Sequence, residues 1–112
     1  MEETLINFLL NNCVGYENRK KAFELMPIVN LNDHKTFRNL IEDIRQADND
    51  VFICSEAGQG GGYWIPTESC EIEDTITHLR KRAYEMLRTA ESLRKKSVKY
   101  KAKNMLDEEE YL

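Results

Sequence analysis

The spacing of apolar and polar positions along the 112-residue chain predicts three short helices, a β-hairpin and one long helix. The clearest pattern belongs to the third helix, where one apolar stripe recurs at helical spacing and consists of Phe37, Leu40, Ile41 and Ile44. Asn32 is the expected N-cap of this helix, and Asp33 would place negative charge in its first turn, where the helix dipole favours it. The opposite face of the helix is polar and carries Lys35, Arg38, Asn39, Glu42, Arg45 and Gln46.

A hairpin is expected directly after the third helix. Asp48–Asp50 has the residues of a turn, and the β-branched and aromatic run Val51–Cys54 predicts a strand. Gly58–Gly62 would form a flexible tip, and Tyr63–Ile65 a returning strand that ends at Pro66. Alternation along that strand would turn either Tyr63 or Trp64 into the core.

Two shorter helices are expected before this region. Met1–Cys13 is apolar nearly all round, which predicts a buried helix with Thr4 as its cap and Gly15 at its close. Glu17–Met26 would be a second helix, capped by Asn18 and stopped by Pro27, because the residue before a proline is pushed out of the α region. Ile28–Leu31 is expected to form either a turn or a short strand that pairs with the hairpin.

The last helix is expected to begin at Thr67 or Ser69, with acidic residues in its first turn. Its apolar and small residues alternate by four and three, the spacing of a helix that packs along another helix. This seam consists of Ile72, Ile76, Leu79, Ala83, Met86, Ala90, Leu93, Ser97 and Tyr100. The front half would pack on the first helix of the same chain. The back half either does the same or forms a homodimer through Met86, Ala90, Leu93 and Tyr100.

These elements predict an α+β winged helix-turn-helix, in which three helices are followed by a β-hairpin wing and a long C-terminal helix. The expected division is a winged-helix domain at residues 1–67, a basic helix at 68–106 and a frayed acidic tail at 107–112. In this fold the third helix enters the major groove and the wing lies beside the DNA backbone.

The distribution of charge along the chain indicates more about possible partners than the net charge does. The net charge is -4, yet the segment from Arg80 to Lys103 has ten basic and two acidic residues, a local charge of +8. The three cysteines form an odd set with no close pairs, and no signal peptide precedes them, which favours free thiols in the cytoplasm. No apolar run is long enough to span a bilayer, so we expect no membrane partner.

Double-stranded DNA is therefore the expected partner, with three groups of contacting residues. Lys35, Arg38, Asn39 and Glu42 would reach base edges, since arginine suits guanine and asparagine suits adenine. Gln59, Gly60 and Gly61 would approach phosphates from the wing, and Arg80 and Arg82 from the long helix. The alternatives are solvated helix faces, an ordinary hairpin loop and, for the basic helix, an acidic protein surface as partner. No metal-ligand spacing, catalytic constellation or phosphate loop occurs, so neither a cofactor nor a metal site nor enzymatic activity is expected.

Residues 1–96 resemble small winged-helix proteins that phages and prophages of Gram-positive bacteria encode. The matching segments are LNDHKTFRNLIEDIR at Leu31–Arg45, ICS at Ile53–Ser55, GGYWIP at Gly61–Pro66 and the basic helix HLRKRAYEMLRTAESLRK. The chain departs from that pattern at His34, where an arginine is expected, and at Ala47–Asp50, which replaces a glycine-containing turn. The resemblance implies sequence-specific DNA binding in regulation or replication, inside a bacterial host cell. The alternative is a winged-helix scaffold that binds a host protein and inhibits or redirects it.

Overall fold

The computed structural model describes the backbone of residues 1–110 and the side chains of residues 1–103. Within that range the chain is α+β, with four α-helices and one antiparallel sheet of two strands. The helices are α1 (Glu2–Asn12), α2 (Ala22–Leu25), α3 (His34–Gln46) and α4 (Ser69–Glu110), and the strands are β1 (Cys54–Glu56) and β2 (Gly62–Trp64). The chain divides into two compact units, Met1–Thr77 and His78–Leu112.

The first helix, α1, is buried on one side only. Leu5 and Leu9 are fully buried, whereas Leu10 is 46% exposed, so the prediction of a helix buried all round is wrong. Thr4 is not its cap, because the helix already begins at Glu2 with Met1 as the N-cap residue. Helix α1 ends at Asn12 with Cys13 as its C-cap, two residues before Gly15.

The expected second helix at Glu17–Met26 is broken into shorter pieces. A 3-10 turn at Tyr16–Asn18 is followed by extended residues, then by the four-residue helix α2 and a second 3-10 turn at Met26–Val29. The cause is tertiary pairing, since the Lys20 N–H donates to the Tyr63 carbonyl (3.1 Å) and Tyr63 N–H donates to the Lys20 carbonyl (2.8 Å). Asn18 is therefore not a helix cap, and its amide instead donates to the Val14 carbonyl (2.8 Å).

The small strand considered at Ile28–Leu31 does not form. That stretch completes a 3-10 turn, which Asn30 closes in the left-handed region at φ 56°. The segment that pairs with the returning strand of the hairpin on its other side is instead the one between α1 and α2, through bridges from Val14 to Ile65 and from Lys20 to Tyr63.

Helix α3 confirms the apolar stripe, because Phe37, Leu40, Ile41 and Ile44 are all buried. Its N-cap is Asp33 and not Asn32. The Asp33 carboxylate accepts hydrogen bonds from the Lys35 N–H (3.4 Å), the Thr36 N–H (3.1 Å) and the Thr36 hydroxyl (2.8 Å). These bonds from Thr36 hold the pKa of Asp33 below its ordinary value.

The sheet begins later than the sequence predicts. Strand β1 starts at Cys54 and pairs antiparallel with β2, with Cys54 opposite Trp64 and Glu56 opposite Gly62. Val51–Ile53 lies outside the strand: the Asn49 side chain accepts from the Val51 N–H (3.0 Å), and the Ile53 carbonyl accepts from an Arg45 side-chain nitrogen (2.6 Å). Tyr63 is the residue that packs against the core, where its ring meets Phe37. Trp64 is also buried, but beside Tyr16 and Glu71.

The long helix α4 starts at Ser69 and belongs to both units. Thr75, near the start of this helix, is buried, and its hydroxyl accepts from the Ser55 N–H (3.4 Å). This hydrogen bond joins the first part of α4 to the hairpin. Side chains from His78 to Lys103 are exposed except for the half-buried Ser97. The predicted acidic tail, 107–112, lies outside the described side chains. Among the described residues, no helix combines the length and the apolar character needed to cross a membrane.

Candidate nucleic-acid interface

The polar face of α3 gathers the four side chains expected to read bases. Lys35, Arg38, Asn39 and Glu42 are all exposed and occupy successive turns of one side of the helix. Arginine and asparagine there have the donor and acceptor geometry for guanine and adenine edges, and a glutamate can accept from cytosine. The buried stripe on the other side of α3 holds this face outward.

Helix α3 is fixed against the hairpin by two contacts. The Phe37 and Tyr63 rings meet edge to face with their centroids 5.5 Å apart. Arg45 donates to the Ile53 carbonyl from two nitrogens (3.2 and 2.6 Å) and to the Ser55 hydroxyl (2.9 Å). Burial lowers the pKa of Arg45. Arg45 is expected on the polar face, but it joins α3 to the hairpin, because its fork of donors reaches the Ile53 carbonyl and the Ser55 hydroxyl.

The glycine tip divides into exposed and buried residues. Gln59 and Gly60 are exposed, whereas Gly61 is buried and its N–H donates to the Gly58 carbonyl (3.1 Å). A Cβ atom on Gly61 would collide with the Glu56 carbonyl. Gly61 therefore turns the chain and does not offer its N–H to a ligand, which corrects its expected phosphate contact and leaves Gln59 and Gly60 as candidates.

Arg19 clamps this tip, and the sequence alone does not suggest its role. Its Nε donates to the Gly60 carbonyl (2.7 Å), and its Nη1 donates to the Tyr16 carbonyl (3.0 Å). The guanidinium carbon lies 4.0 Å from the centroid of the Tyr16 ring, which in turn meets Trp64 edge to face at 5.0 Å. The Glu56 carboxylate raises the pKa of Tyr16. The tip expected to be flexible is thus held on both of its strands.

Glu71 joins the hairpin to the start of α4 and is a second residue whose role the sequence does not reveal. Its Oε1 accepts from Trp64 Nε1 and from the Tyr16 N–H, both at 3.2 Å. Its Oε2 accepts from the Thr67 N–H (2.7 Å) and the Glu68 N–H (2.9 Å). These donors lower the pKa of Glu71, with the Glu68 N–H the largest contribution. An acidic residue in the first turn was foreseeable, but its link to Trp64 was not.

The charges of the two units differ in sign. Met1–Thr77 has six basic and fourteen acidic residues, a net charge of -8, whereas residues 78–103 have a net charge of +8. Arg80 and Arg82 are exposed in this basic stretch. Any attraction of the first unit for phosphate must therefore be local to Lys35, Arg38 and the residues around Arg19.

The cysteines and histidines show no sign of a metal site in the described part of the chain. Cys13 and Cys54 are buried free thiols, and burial raises the pKa of both, while Cys70 is a free thiol on the surface. In the part of the chain that the structure describes, no three histidine, cysteine or acidic side chains cluster as metal ligands. His34 is an exposed residue in the first turn of α3.

Comparison of the chain with protein-family models, with curated proteins and with solved structures finds no match in any of the three.

Proposed function

We propose that the Met1–Thr77 unit is a winged helix-turn-helix that binds double-stranded DNA, with α3 as its recognition helix. The observation that carries the proposal is the polar face of α3, held outward beside a hairpin that Arg19 and Arg45 fix in place. The pairing of β2 supports it as well, because the bridge from Lys20 to Tyr63 ties the proposed wing to the segment between α1 and α2.

In the proposed complex α3 lies in the major groove. Arg38 and Lys35 donate to guanine, Asn39 pairs with adenine, and Glu42 accepts from cytosine. Gln59 and the Gly60 N–H approach phosphates from the wing. Because few basic residues are available in the first unit, we expect a shallow salt dependence, with a slope of about -2 to -4 in log affinity against log salt.

The experiment is an unbiased selection of duplexes by the purified full chain, followed by anisotropy titrations of the enriched duplex across a salt series. Arg38→Ala should weaken binding by about 10- to 100-fold, the range for one lost bidentate base contact. Arg88→Ala removes the same charge from an exposed arginine outside α3, so it is the matched control and should change the affinity by less than about threefold. No enriched duplex, or equal effects of the two variants, would refute DNA reading by α3.

The charge of -8 on the first unit favours a second candidate, a scaffold whose acidic surface binds a host protein. Substitution of the exposed Asp43 by lysine separates the two functions. Asp43→Lys adds a cation beside the recognition face, so it should tighten non-specific duplex binding if α3 meets DNA. If the acidic surface binds a basic partner, the same change should weaken that complex in a pull-down and leave duplex binding absent.

A further inference from the structure

The distal part of α4 exposes an apolar seam within the described residues. Leu79, Met86 and Leu93 are 40%, 71% and 59% exposed, and they alternate with the small residues Ala83 and Ala90. Several large apolar side chains in a row on one exposed helix face mark an interaction surface. The spacing by four and three residues is that of a helix packing along a second helix.

The residues that border this seam share one sign of charge. In a helix pair, the residues along the two edges of the seam, one beside each seam residue, face the partner and select it by charge. From residue 79 to residue 103, six of these eight bordering positions are basic and none is acidic. The basic ones are Arg80, Arg82, Arg94, Lys96, Lys101 and Lys103. Arg94 also forms an ion pair with Glu91 (2.7 Å). Glu91 lies on the side of the helix away from the seam, so this ion pair does not alter the charge of the other five basic bordering residues.

A second copy of this helix fits the seam poorly in either direction. In a parallel pair, equal residues face each other, so Ala83 and Ala90 would meet their own copies and leave space unfilled. In an antiparallel pair the small residues face large ones, but the basic bordering residues then face each other. Like charges placed opposite one another destabilise a helix pair. Unfilled space therefore disfavours the parallel pair, and repulsion between basic residues disfavours the antiparallel pair.

We propose that the seam from Leu79 to Leu93 docks an acidic amphipathic helix of a different protein. Large apolar residues of that helix fill the space over Ala83 and Ala90, and its glutamates or aspartates face Arg82 and Lys96. Phosphates of a nucleic acid would satisfy the same charges but would leave Met86 and Leu93 in water. The proposal is independent of DNA binding by α3, since it uses a different unit of the chain.

A synthetic peptide of about four heptads tests this directly, with leucine at the seam and glutamate at every bordering position. A second peptide of the same length carries lysine in place of glutamate. Each is labelled and titrated with the full chain by fluorescence anisotropy at about 0.1 M salt. The glutamate peptide should bind, and the lysine peptide should bind at least about tenfold more weakly.

Matched double variants separate the seam from general charge attraction. Arg82→Glu with Lys96→Glu reverses two bordering charges and should weaken binding of the glutamate peptide by about tenfold or more. Lys81→Glu with Lys95→Glu makes the same change of net charge on the outer side of the helix, and it should alter binding by less than about threefold. Leu93→Asn should abolish binding. All these side chains are exposed, so near-ultraviolet circular dichroism of Trp64 should be the same in every variant.

Four outcomes would overturn the proposal. A dimer in sedimentation equilibrium that Leu93→Asn dissociates would assign the seam to a second copy. Equal losses from the bordering and the outer double variants, or displacement of the peptide by duplex DNA, would assign the segment to general attraction of polyanions. Absence of glutamate-peptide binding at about 100 µM protein would remove the docking function altogether.

Discussion

The strongest prediction about stability concerns Glu71, because four N–H groups from three places in the chain donate to its carboxylate. Replacing it by alanine removes the acceptor for the Thr67 and Glu68 N–H groups at the start of α4, a loss comparable to that of an N-terminal cap, about 1 kcal/mol. It also leaves the indole N–H of the buried Trp64 without its acceptor, which costs about 1–2 kcal/mol. Water can replace the bond to Tyr16, which is exposed. We therefore expect Glu71→Ala to lower the free energy of unfolding by about 2–3 kcal/mol.

The assay is urea unfolding followed by the fluorescence of Trp64, the only tryptophan of the chain. Glu73→Ala is the matched control, since Glu73 is an exposed glutamate two residues further along the same helix. It should change the free energy of unfolding by less than about 0.5 kcal/mol. Equal effects of the two substitutions would refute the idea that Glu71 joins the hairpin to α4.

The protonation of Glu71 adds a test by pH. Its pKa is lower in the folded chain than the ordinary glutamate value of about 4.3, so its stabilisation is fully present above that value. The contribution is lost as the pH falls through the lowered folded pKa. Glu71→Gln cannot titrate there, and the difference in stability between wild type and variant should shrink as the solution is acidified. A difference that stays constant down to about pH 2 would contradict the role of the ionised carboxylate.

Three further predictions concern the hairpin and the thiols. Arg45→Met should lower the free energy of unfolding by about 1–2 kcal/mol in urea titrations, because the Ile53 carbonyl and the Ser55 hydroxyl lose their donor; an unchanged midpoint would show that water replaces it. Gly61→Ala should destabilise the chain by about 2 kcal/mol or more, since its Cβ meets the Glu56 carbonyl, whereas Gly60→Ala has open space and should have little effect in the same thermal scans. A thiol reagent should modify Cys70 quickly in the native protein and Cys13 and Cys54 only after unfolding; fast reaction of all three would contradict the burial of the last two.

Local sequence patterns were sufficient to predict the features that depend on residues close to each other in the chain. The apolar stripe of α3 follows from helical periodicity, and its exposed face, with Lys35, Arg38 and Asn39, follows as the complement of that stripe. The seam of α4 is likewise a matter of spacing within one helix. Even here the cap of α3 was misplaced by one residue, because Asn32 and Asp33 are both good caps and only the hydrogen bonds from Thr36 distinguish them.

Only the tertiary structure decided the contacts between distant segments. The second helix was overestimated because nothing near Lys20 in the sequence indicates that its backbone pairs with Tyr63. Arg19 reaches Gly60 across 41 residues, and Tyr16 reaches Glu71 across 55, so the clamp on the wing and the link to α4 have no local signature. Periodicity determines which side of each element is apolar, whereas the partner of a backbone group or a charge depends on which segments the folded chain brings together.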